Sequence, residues 1–339
     1  IIFLLFSEQI INLVGNAKDM NLSDAILYQN MTVIGFPFLG VSIATFYAFR
    51  AMGENKIPMI GNTLALVLKV ILNFLLVYLF KWGIFGAALS TTLTRLFSAI
   101  FSIYLVFWSK KNWISLELKD LKFDYFTSKR ILKVGIPAAV EQLGLRIGML
   151  IFEMMVISLG NLSYAAHKIA LTAESISFNL GFAFSFAASA LVGQELGKGS
   201  SQKALKDGYI CTIIAMIVMS TFGLLFFIIP QFLVSLFTKD KDVIELATMA
   251  LKIVSICQPF SGASMVLAGA LRGAGDTKSV LLITYLGIFL IRIPITYLFL
   301  DVLNFGLAGA WIVMSIDLAI RSSLAFYIFR RGKWKYLQV

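Results

Sequence analysis

The chain has 339 residues, of which 59% are hydrophobic and only 14% are charged, and its mean hydropathy is +0.87. Soluble domains are roughly 45–50% apolar and about 25% charged, so a soluble protein of this length could not bury so much apolar surface. The excess predicts a membrane protein, and the long apolar runs favour helices over the short alternating segments of a β-barrel.

The apolar runs predict nine membrane-spanning helices, since a span needs about 20 mainly apolar residues. After a helix tail at 1–15, the spans are predicted at 24–52, 57–80, 83–108, 129–159, 162–197, 203–236, 243–274, 278–301 and 306–329. The hydrophilic segment 113–128 is predicted to be a cytoplasmic linker between an N-terminal lobe, 1–112, and a C-terminal lobe, 129–339.

The net charge of +11 is concentrated in short segments between apolar runs rather than on one basic face, so we exclude nucleic acid as a partner. If the helices alternate in direction and the C-terminus is cytoplasmic, 18 Lys and Arg residues fall in inside segments and only 4 in outside segments. This asymmetry follows the positive-inside rule. We therefore predict a multi-pass membrane protein with a cytoplasmic C-terminus.

An internal repeat relates the two predicted lobes. Arg50–Lys56 recurs as Arg272–Lys278 at an offset of 222 residues, and Gly83–Ala87 recurs as Gly306–Ala310 at an offset of 223. Both copies run in the same orientation, because an even number of predicted helices separates them. Many secondary transporters are built from such repeats, with the substrate site between them near the membrane midplane.

The repeat also predicts the length of a complete chain. The second lobe begins near Lys129, so its counterpart would begin roughly 93 residues before Ile1. Since the sequence opens within an apolar run and without a Met, we expect two helices and most of a third to precede it. A complete chain would then have twelve helices.

Five short segments stand out in the second half of the chain, and they are Gly135–Ala138, Ala165–Ile169, Leu191–Gly197, Leu271–Thr277 and Gly306–Trp311. In their order and spacing they resemble MATE (multidrug and toxic compound extrusion) transporters, and the likeness covers nearly the whole chain. The resemblance implies an all-α, two-lobed helix bundle that exports drugs or other amphiphilic organic cations by alternating access. It further implies exchange for Na⁺ or H⁺, no other cofactor, and a monomer in the lipid bilayer of the cytoplasmic membrane of a bacterium or archaeon.

Ionisable side chains within spans are functional hypotheses by default, because charge is costly inside a membrane. Glu141 and Glu174 each lie about 12 residues into a predicted span, near its middle. A carboxylate there can bind Na⁺, take up a proton or pair with a cationic substrate. We predict these two residues to couple transport to the cation, with Arg146, Asp317 and Arg321 as a supporting charge network.

Structural ion pairing is the alternative interpretation of the same acids, with Arg146, Arg292, Arg321 or Lys168 as the partners. Asp317 and Arg321 are four residues apart, and Arg146 and Glu153 are seven apart, so each pair would share one helix face. MATE relatives carry a Glu about one turn after Glu141, at the position of Leu145, so the resemblance implies that Glu141 substitutes for it. The sequence leaves Na⁺ and H⁺ both open as the coupling ion.

Uncharged polar residues in the spans are candidates for a substrate cavity, and we predict this role for Gln142, Asn179 and Gln258. His167, the only histidine, lies near the outer end of its helix, where it could sense pH or pack as a hydrogen-bonded residue. One histidine and the dispersed Cys211 and Cys257 predict no metal site.

Two other functions were weighed against drug antiport. A flippase for lipid-linked precursors, from the same broad superfamily, would show a more cationic central cavity. An intramembrane enzyme would need a nucleophile with its base, or a set of metal ligands, and the sequence shows neither. We therefore predict a transporter rather than an enzyme.

Overall fold

The computed structural model describes residues 22–107 and 124–337, which form two compact units, Ile1–Phe123 and Asp124–Val339. The described residues are helical with short connections and include no strand, so the predicted all-α fold is confirmed. The helix tail predicted at 1–15 and most of the predicted linker, 113–128, lie outside the described residues.

The first unit contains four helices and one π-helical segment among its described residues. They are α1 (Leu22–Ile34), α2 (Phe36–Ala51), α3 (Lys56–Asn73), which continues as the π-helical Phe74–Leu79, and α4 (Gly83–Phe107). Helix α4 packs against α1, α2 and α3, and therefore forms the centre of this unit.

The second unit begins with three long helices. They are α5 (Tyr125–Ile157), α6 (Asn161–Gly197) and α7 (Ser201–Ile228), followed by the short α8 (Pro230–Ser235). The next pair is α9 (Lys241–Ser255) and α10 (Gln258–Gly273). The unit ends with α11 (Thr277–Tyr285), π-helical Leu286–Arg292, α12 (Ile293–Tyr297), π-helical Leu298–Val302, α13 (Gly306–Arg331) and a 3₁₀ turn at Lys333–Tyr336.

Within the described ranges, six continuous helical segments are long and apolar enough to cross a membrane, and two bent helix pairs raise the number to eight. The bent pairs are α1 with α2, at 45°, and α9 with α10, at 60°. We predicted each pair as one uninterrupted span. The remaining predicted span, 129–159, corresponds to α5, which is one continuous helix but carries Glu141, Arg146 and Glu153 among its apolar residues.

Proline accounts for both bends. Pro37 and Pro259 each lie in the first turn of the helix that follows the break. A proline has no N–H to donate to the carbonyl four residues earlier, and its ring collides with that carbonyl. Each proline therefore removes one backbone hydrogen bond at its bend.

Two apolar clusters fill the second unit and leave a polar layer between them. The first cluster includes Phe152 and Trp311, and the second includes Phe329 and Trp334. Along α6, for example, Ala173 belongs to the first cluster and Ala188 to the second, with buried Glu174 and Ser177 between them. The fold therefore places its buried charges about midway along the helices.

Candidate functional site

Glu141 lies on the buried face of α5 and holds together three helices. Its Oε1 accepts hydrogen bonds from Arg272 Nη2 at 2.6 Å and from Thr284 Oγ1 at 3.3 Å, whereas Oε2 has no partner among the described residues. Arg272 is the last charged residue of α10 and is one-third exposed, at 33%. The carboxylate is therefore buried, but its counter-charge reaches the surface.

Small residues of α5 create the space for this arrangement. Gly144 and Gly148 continue the buried face of Glu141, and a Cβ at either position would collide with Tyr285 or Ile288. Tyr285 Oη also donates to the carbonyl of Val140 at 3.1 Å. Close contact between α5 and α11 thus brings Thr284 within reach of Glu141.

Asp317 accepts two guanidinium groups on a single oxygen. Its Oδ2 lies 2.8 Å from Arg292 Nε and 2.6 Å from Arg321 Nη2, and the carboxylate is fully buried. Its Oδ1 has no partner among the described residues, and a Cβ at Gly287 would collide with it. The predicted pairing of Asp317 with Arg321 is confirmed, and Arg292 joins it from the π-helical segment.

Glu174 differs from the other two acids because its direct partner is uncharged. Gln258 Nε2 donates to Glu174 Oε1 at 3.1 Å, and Ser177 Oγ donates to Gln258 Oε1 at 2.6 Å. All three side chains are buried, and Gln258 is the first residue of α10 after the break. In the part of the chain that the structure describes, Glu174 forms no ion pair.

The three acids are electrostatically linked. Arg292, which pairs with Asp317, also interacts with Glu174, and Arg321 interacts with Glu141. The described network therefore contains three carboxylates and three guanidinium groups, and it is neutral when all six are ionised. Protonation of any one of these acids therefore changes the net charge of the network by one unit, in surroundings where charges interact strongly.

Glu153 is ion-paired as the structural interpretation predicted, but its partner is Lys168 and not Arg146. Its carboxylate also accepts a hydrogen bond from Tyr164 Oη at 2.8 Å. The tight connection between α5 and α6 brings these partners to the C-terminal end of α5. Arg146 is exposed and has no partner among the described residues, so it lies outside the buried network in which we had placed it.

The predicted polar residues fall into two groups. Gln258 is fully buried against Glu174, whereas Gln142 and Asn179 are exposed on α5 and α6. His167 is buried between the rings of Phe152 and Trp311, with ring centroids 5.9 and 5.6 Å away, and its Nδ1 has no hydrogen-bond partner among the described residues.

Sequence reasoning missed Arg272 as a member of the site. We had assigned it to a cytoplasmic segment, although it belongs to the repeated Arg272–Lys278 segment and pairs with an acid 131 residues away. The sequence offered one indication of this role, which is that Arg272 is a basic residue at the end of an apolar run. Ser177 and Thr284 carried no signal, because hydroxyl side chains are common on packed membrane helices.

Comparison with known proteins agrees with the resemblance drawn from the sequence. Residues 1–75 and 137–298 match the MatE family. A relative from Thermotoga maritima, called "Probable multidrug resistance protein NorM", is 30% identical over 97% of this chain and 71% of its own length. A Staphylococcus aureus relative, called "Multidrug export protein MepA", is 25% identical over 96% of this chain and 71% of its own length.

Solved structures show the same fold. A structure described as "Crystal structure of MATE in the bent conformation" has a TM-score of 0.90 and 20% identity, covering 97% of this chain and 73% of its own. A MOP superfamily transporter from Pyrococcus furiosus has a TM-score of 0.90 and 19% identity, covering 99% of this chain and 76% of its own. With the family match over most of its length, the chain belongs to the MatE family.

Proposed function

We propose that this protein is a secondary antiporter that exports drugs or other amphiphilic organic cations in exchange for H⁺. It would act as a monomer in the cytoplasmic membrane with its C-terminus inside. The observation that carries the proposal is Glu174, a fully buried carboxylate without a guanidinium in direct contact. The names of the relatives, which refer to multidrug resistance and export, support the substrate class.

The position of Glu174 supports a role in coupling. It lies 13 residues from the start of α6, which corresponds to about 20 Å along a helix and places it near the middle of a membrane about 30 Å thick. The cost of burying its charge is not offset by a direct ion pair. A proton that enters from one side and leaves to the other would alternately remove and restore that cost.

The contacts of Glu174 favour H⁺ over Na⁺. A bound Na⁺ would need oxygen atoms around it, but the group that faces Glu174 Oε1 is the N–H₂ end of the Gln258 amide. That amide is held in this orientation because its oxygen accepts the hydrogen bond from Ser177. A proton on the carboxylate requires no such cage of oxygen atoms.

Glu141 supports the same mechanism at a second buried position. Its pair with Arg272 joins α5 to α10, and only one of its two oxygens is used. Protonation of Glu141 would weaken this pair and leave the partly exposed Arg272 to water. We therefore propose Glu141 as a second coupling residue, whose protonation state determines whether α5 and α10 are held together.

Transport by the protein reconstituted in lipid vesicles tests the proposal. We expect a pH gradient, but not a Na⁺ gradient, to drive efflux of a fluorescent cation such as ethidium. Glu174→Gln should reduce this efflux at least tenfold because the amide cannot take up a proton, and Glu141→Gln should reduce it severalfold. The exposed Glu245 provides the control, and Glu245→Gln should transport normally.

Each negative outcome has a distinct meaning. Efflux that responds to neither gradient would reject antiport. Efflux driven by Na⁺ alone would reject the proton as the coupling ion. Normal pH-driven efflux in both variants would reject Glu174 and Glu141 as coupling residues.

A further inference from the structure

Basic side chains gather where α7 begins and α13 ends. They are Lys203, Lys206, Arg330, Arg331, Lys333 and Lys335. None of them forms an ion pair among the described residues, and Asp207 is the one acid within 201–209 and 330–337. Both helices are long and apolar enough to cross a membrane, so this excess of positive charge lies at a membrane surface.

Packing brings the two helix ends together. A Cβ at Gly208 would collide with the ring of Phe329, and Tyr209 meets the same ring edge-on, with centroids 5.4 Å apart. Arg330 interacts electrostatically with Tyr209, which lies one turn after Lys206. Cations from distant parts of the chain therefore belong to one surface.

The chain that follows α13 is folded back onto the helix. Gly332 ends the helix in a left-handed conformation, with φ of 71°. Trp334 is buried, stacks on Phe329 with ring centroids 4.8 Å apart, and donates its indole N–H to the carbonyl of Phe329 at 2.8 Å. Lys335 Nζ lies 5.7 Å from the centroid of the Trp334 ring. The turn therefore fixes Lys333 and Lys335 next to the end of α13.

An apolar stripe continues along α7 from its two lysines. Residues that follow Lys206 at steps of three or four lie on the same side of the helix. They are Ile210, Ile213, Ile217, Ser220 and Leu224. The four apolar members are exposed, between 43% and 63%. One side of α7 thus carries positive charge at its start and an exposed apolar surface after it.

A groove lies on this stripe at the bend between α9 and α10. Its volume is about 490 Å³, within the range of about 300–1,000 Å³ typical of small-molecule sites, and Ile213, Ile217 and Pro259 are among the residues that line it. Ile217 lies 11 residues after Lys206, about 16 Å along the helix, which is roughly half of a hydrocarbon core about 30 Å thick. The groove is therefore at the depth of the acyl chains of lipids whose headgroups are level with Lys206.

We propose that an anionic phospholipid binds along α7. Its phosphate contacts Lys203, Lys206 and Arg330, and one acyl chain lies in the groove beside Pro259. Phosphate oxygens accept charge-assisted hydrogen bonds from Lys and Arg, and each basic residue near a membrane surface strengthens the binding of anionic lipid about fivefold. A zwitterionic lipid fills the same groove without this gain, because its own cation opposes the basic surface. Lipid binding here does not depend on the proposed antiport.

Lipid retention by charge variants tests the headgroup contacts. Native mass spectrometry of the purified protein in an uncharged detergent measures bound palmitoyl-oleoyl phosphatidylglycerol and phosphatidylcholine, supplied in equal amounts. We expect phosphatidylglycerol to bind at least about tenfold more tightly. Lys203→Gln combined with Arg330→Gln should reduce this preference to about threefold or less. Lys239→Gln combined with Lys241→Gln, which removes two exposed cations near the start of α9, should leave the preference unchanged.

A bulky side chain in the groove tests the contact with the acyl chain. Ile213→Trp should weaken the binding of both lipids severalfold, because the indole fills the groove and the two lipids have the same acyl chains. The neighbouring Ile214 is exposed but does not line the groove, so Ile214→Trp is the matched control and should bind both lipids normally. Equal weakening by the two variants would reject the groove as the site of the chain.

Three further results would overturn the proposal. Equal affinity for the two lipids would show that charge does not select the headgroup. An equal loss of preference in the two double charge variants would show an effect of net charge rather than a site. Displacement of phosphatidylglycerol by an equal concentration of inorganic phosphate would assign the basic surface to soluble anions rather than to lipid.

Discussion

The two bent spans, α1–α2 in the first unit and α9–α10 in the second, use the same sequence device for different chemistry. Pro37-Phe38 and Gly40 recur as Pro259-Phe260 and Gly262, at the 222-residue offset of the repeat. In the first unit, Arg95 Nη1 donates to the carbonyl of Thr32 at 2.6 Å, directly before the bend. In the second unit, the bend positions Gln258 against Glu174.

The same offset makes Asp317 the counterpart of Arg95 in the sequence repeat. Each lies on the last described α-helix of its unit, but Arg95 binds a backbone carbonyl, whereas Asp317 binds two guanidinium groups. Within 22–107 the acids are Asp24 and Glu54, both near helix ends, whereas the second unit buries three acids. The described parts of the two units therefore share the proline-containing bend, but only the second unit has buried acids.

The turns confirm that the backbone is repeated. Lys81 and Asn304, 223 residues apart, both adopt left-handed backbone conformations, with φ of 55° and 54°. Gly53 and Gly275, 222 residues apart, do the same with φ of 88° and 81°. Left-handed residues cost free energy unless they are glycine, so their recurrence at the repeat offset reflects a common local fold rather than chance.

The largest expected effect concerns Asp317. Asp317→Ala should lower the free energy of unfolding by about 3–5 kcal/mol, because Arg292 and Arg321 would remain buried without their counter-charge. Thermal unfolding in detergent measures the change, and Asp301→Ala, at an exposed acid, is the control. Adding Arg292→Met to Asp317→Ala should recover part of the lost free energy of unfolding. A double variant whose loss equals the sum of the two single losses would contradict the buried ion pair as the cause.

A smaller effect separates the two bends. Gln258→Leu should lower the free energy of unfolding by about 1–3 kcal/mol, since it leaves buried Glu174 and Ser177 without their partner. The residue at the same repeat position in the first unit is the exposed Phe36. Phe36→Leu should lower the free energy of unfolding by less than about 1 kcal/mol. Equal losses in the two variants would show that the bends do not differ in chemistry.

The smallest effect tests what the units share. Gly53→Ala and Gly275→Ala should each lower the free energy of unfolding by about 1–2 kcal/mol, because alanine is strained at positive φ. The two losses should agree within about 0.5 kcal/mol, the usual accuracy of such comparisons. A clear difference between them, measured by thermal unfolding, would contradict a common turn in the two units.

The sequence alone determined the helical membrane class and the resemblance to the family, because both depend on composition and on short segments. It also predicted the pair between Asp317 and Arg321, since four residues bring side chains together within one helix. The functional roles of Glu141 and Glu174 stay predictions. Both bends had a visible cause in Pro37 and Pro259, but the sequence does not say whether a proline kinks a span or breaks it.

Only the tertiary structure decided which charges meet. Glu141 and Arg272 are 131 residues apart, and Gln258 and Glu174 are 84 apart, so no spacing rule could pair them. Glycines on α5 allow close contact with α11, and that contact brings Thr284 to Glu141. A charge inside a membrane must find a counter-charge or water, but which of these it finds depends on how the helices pack.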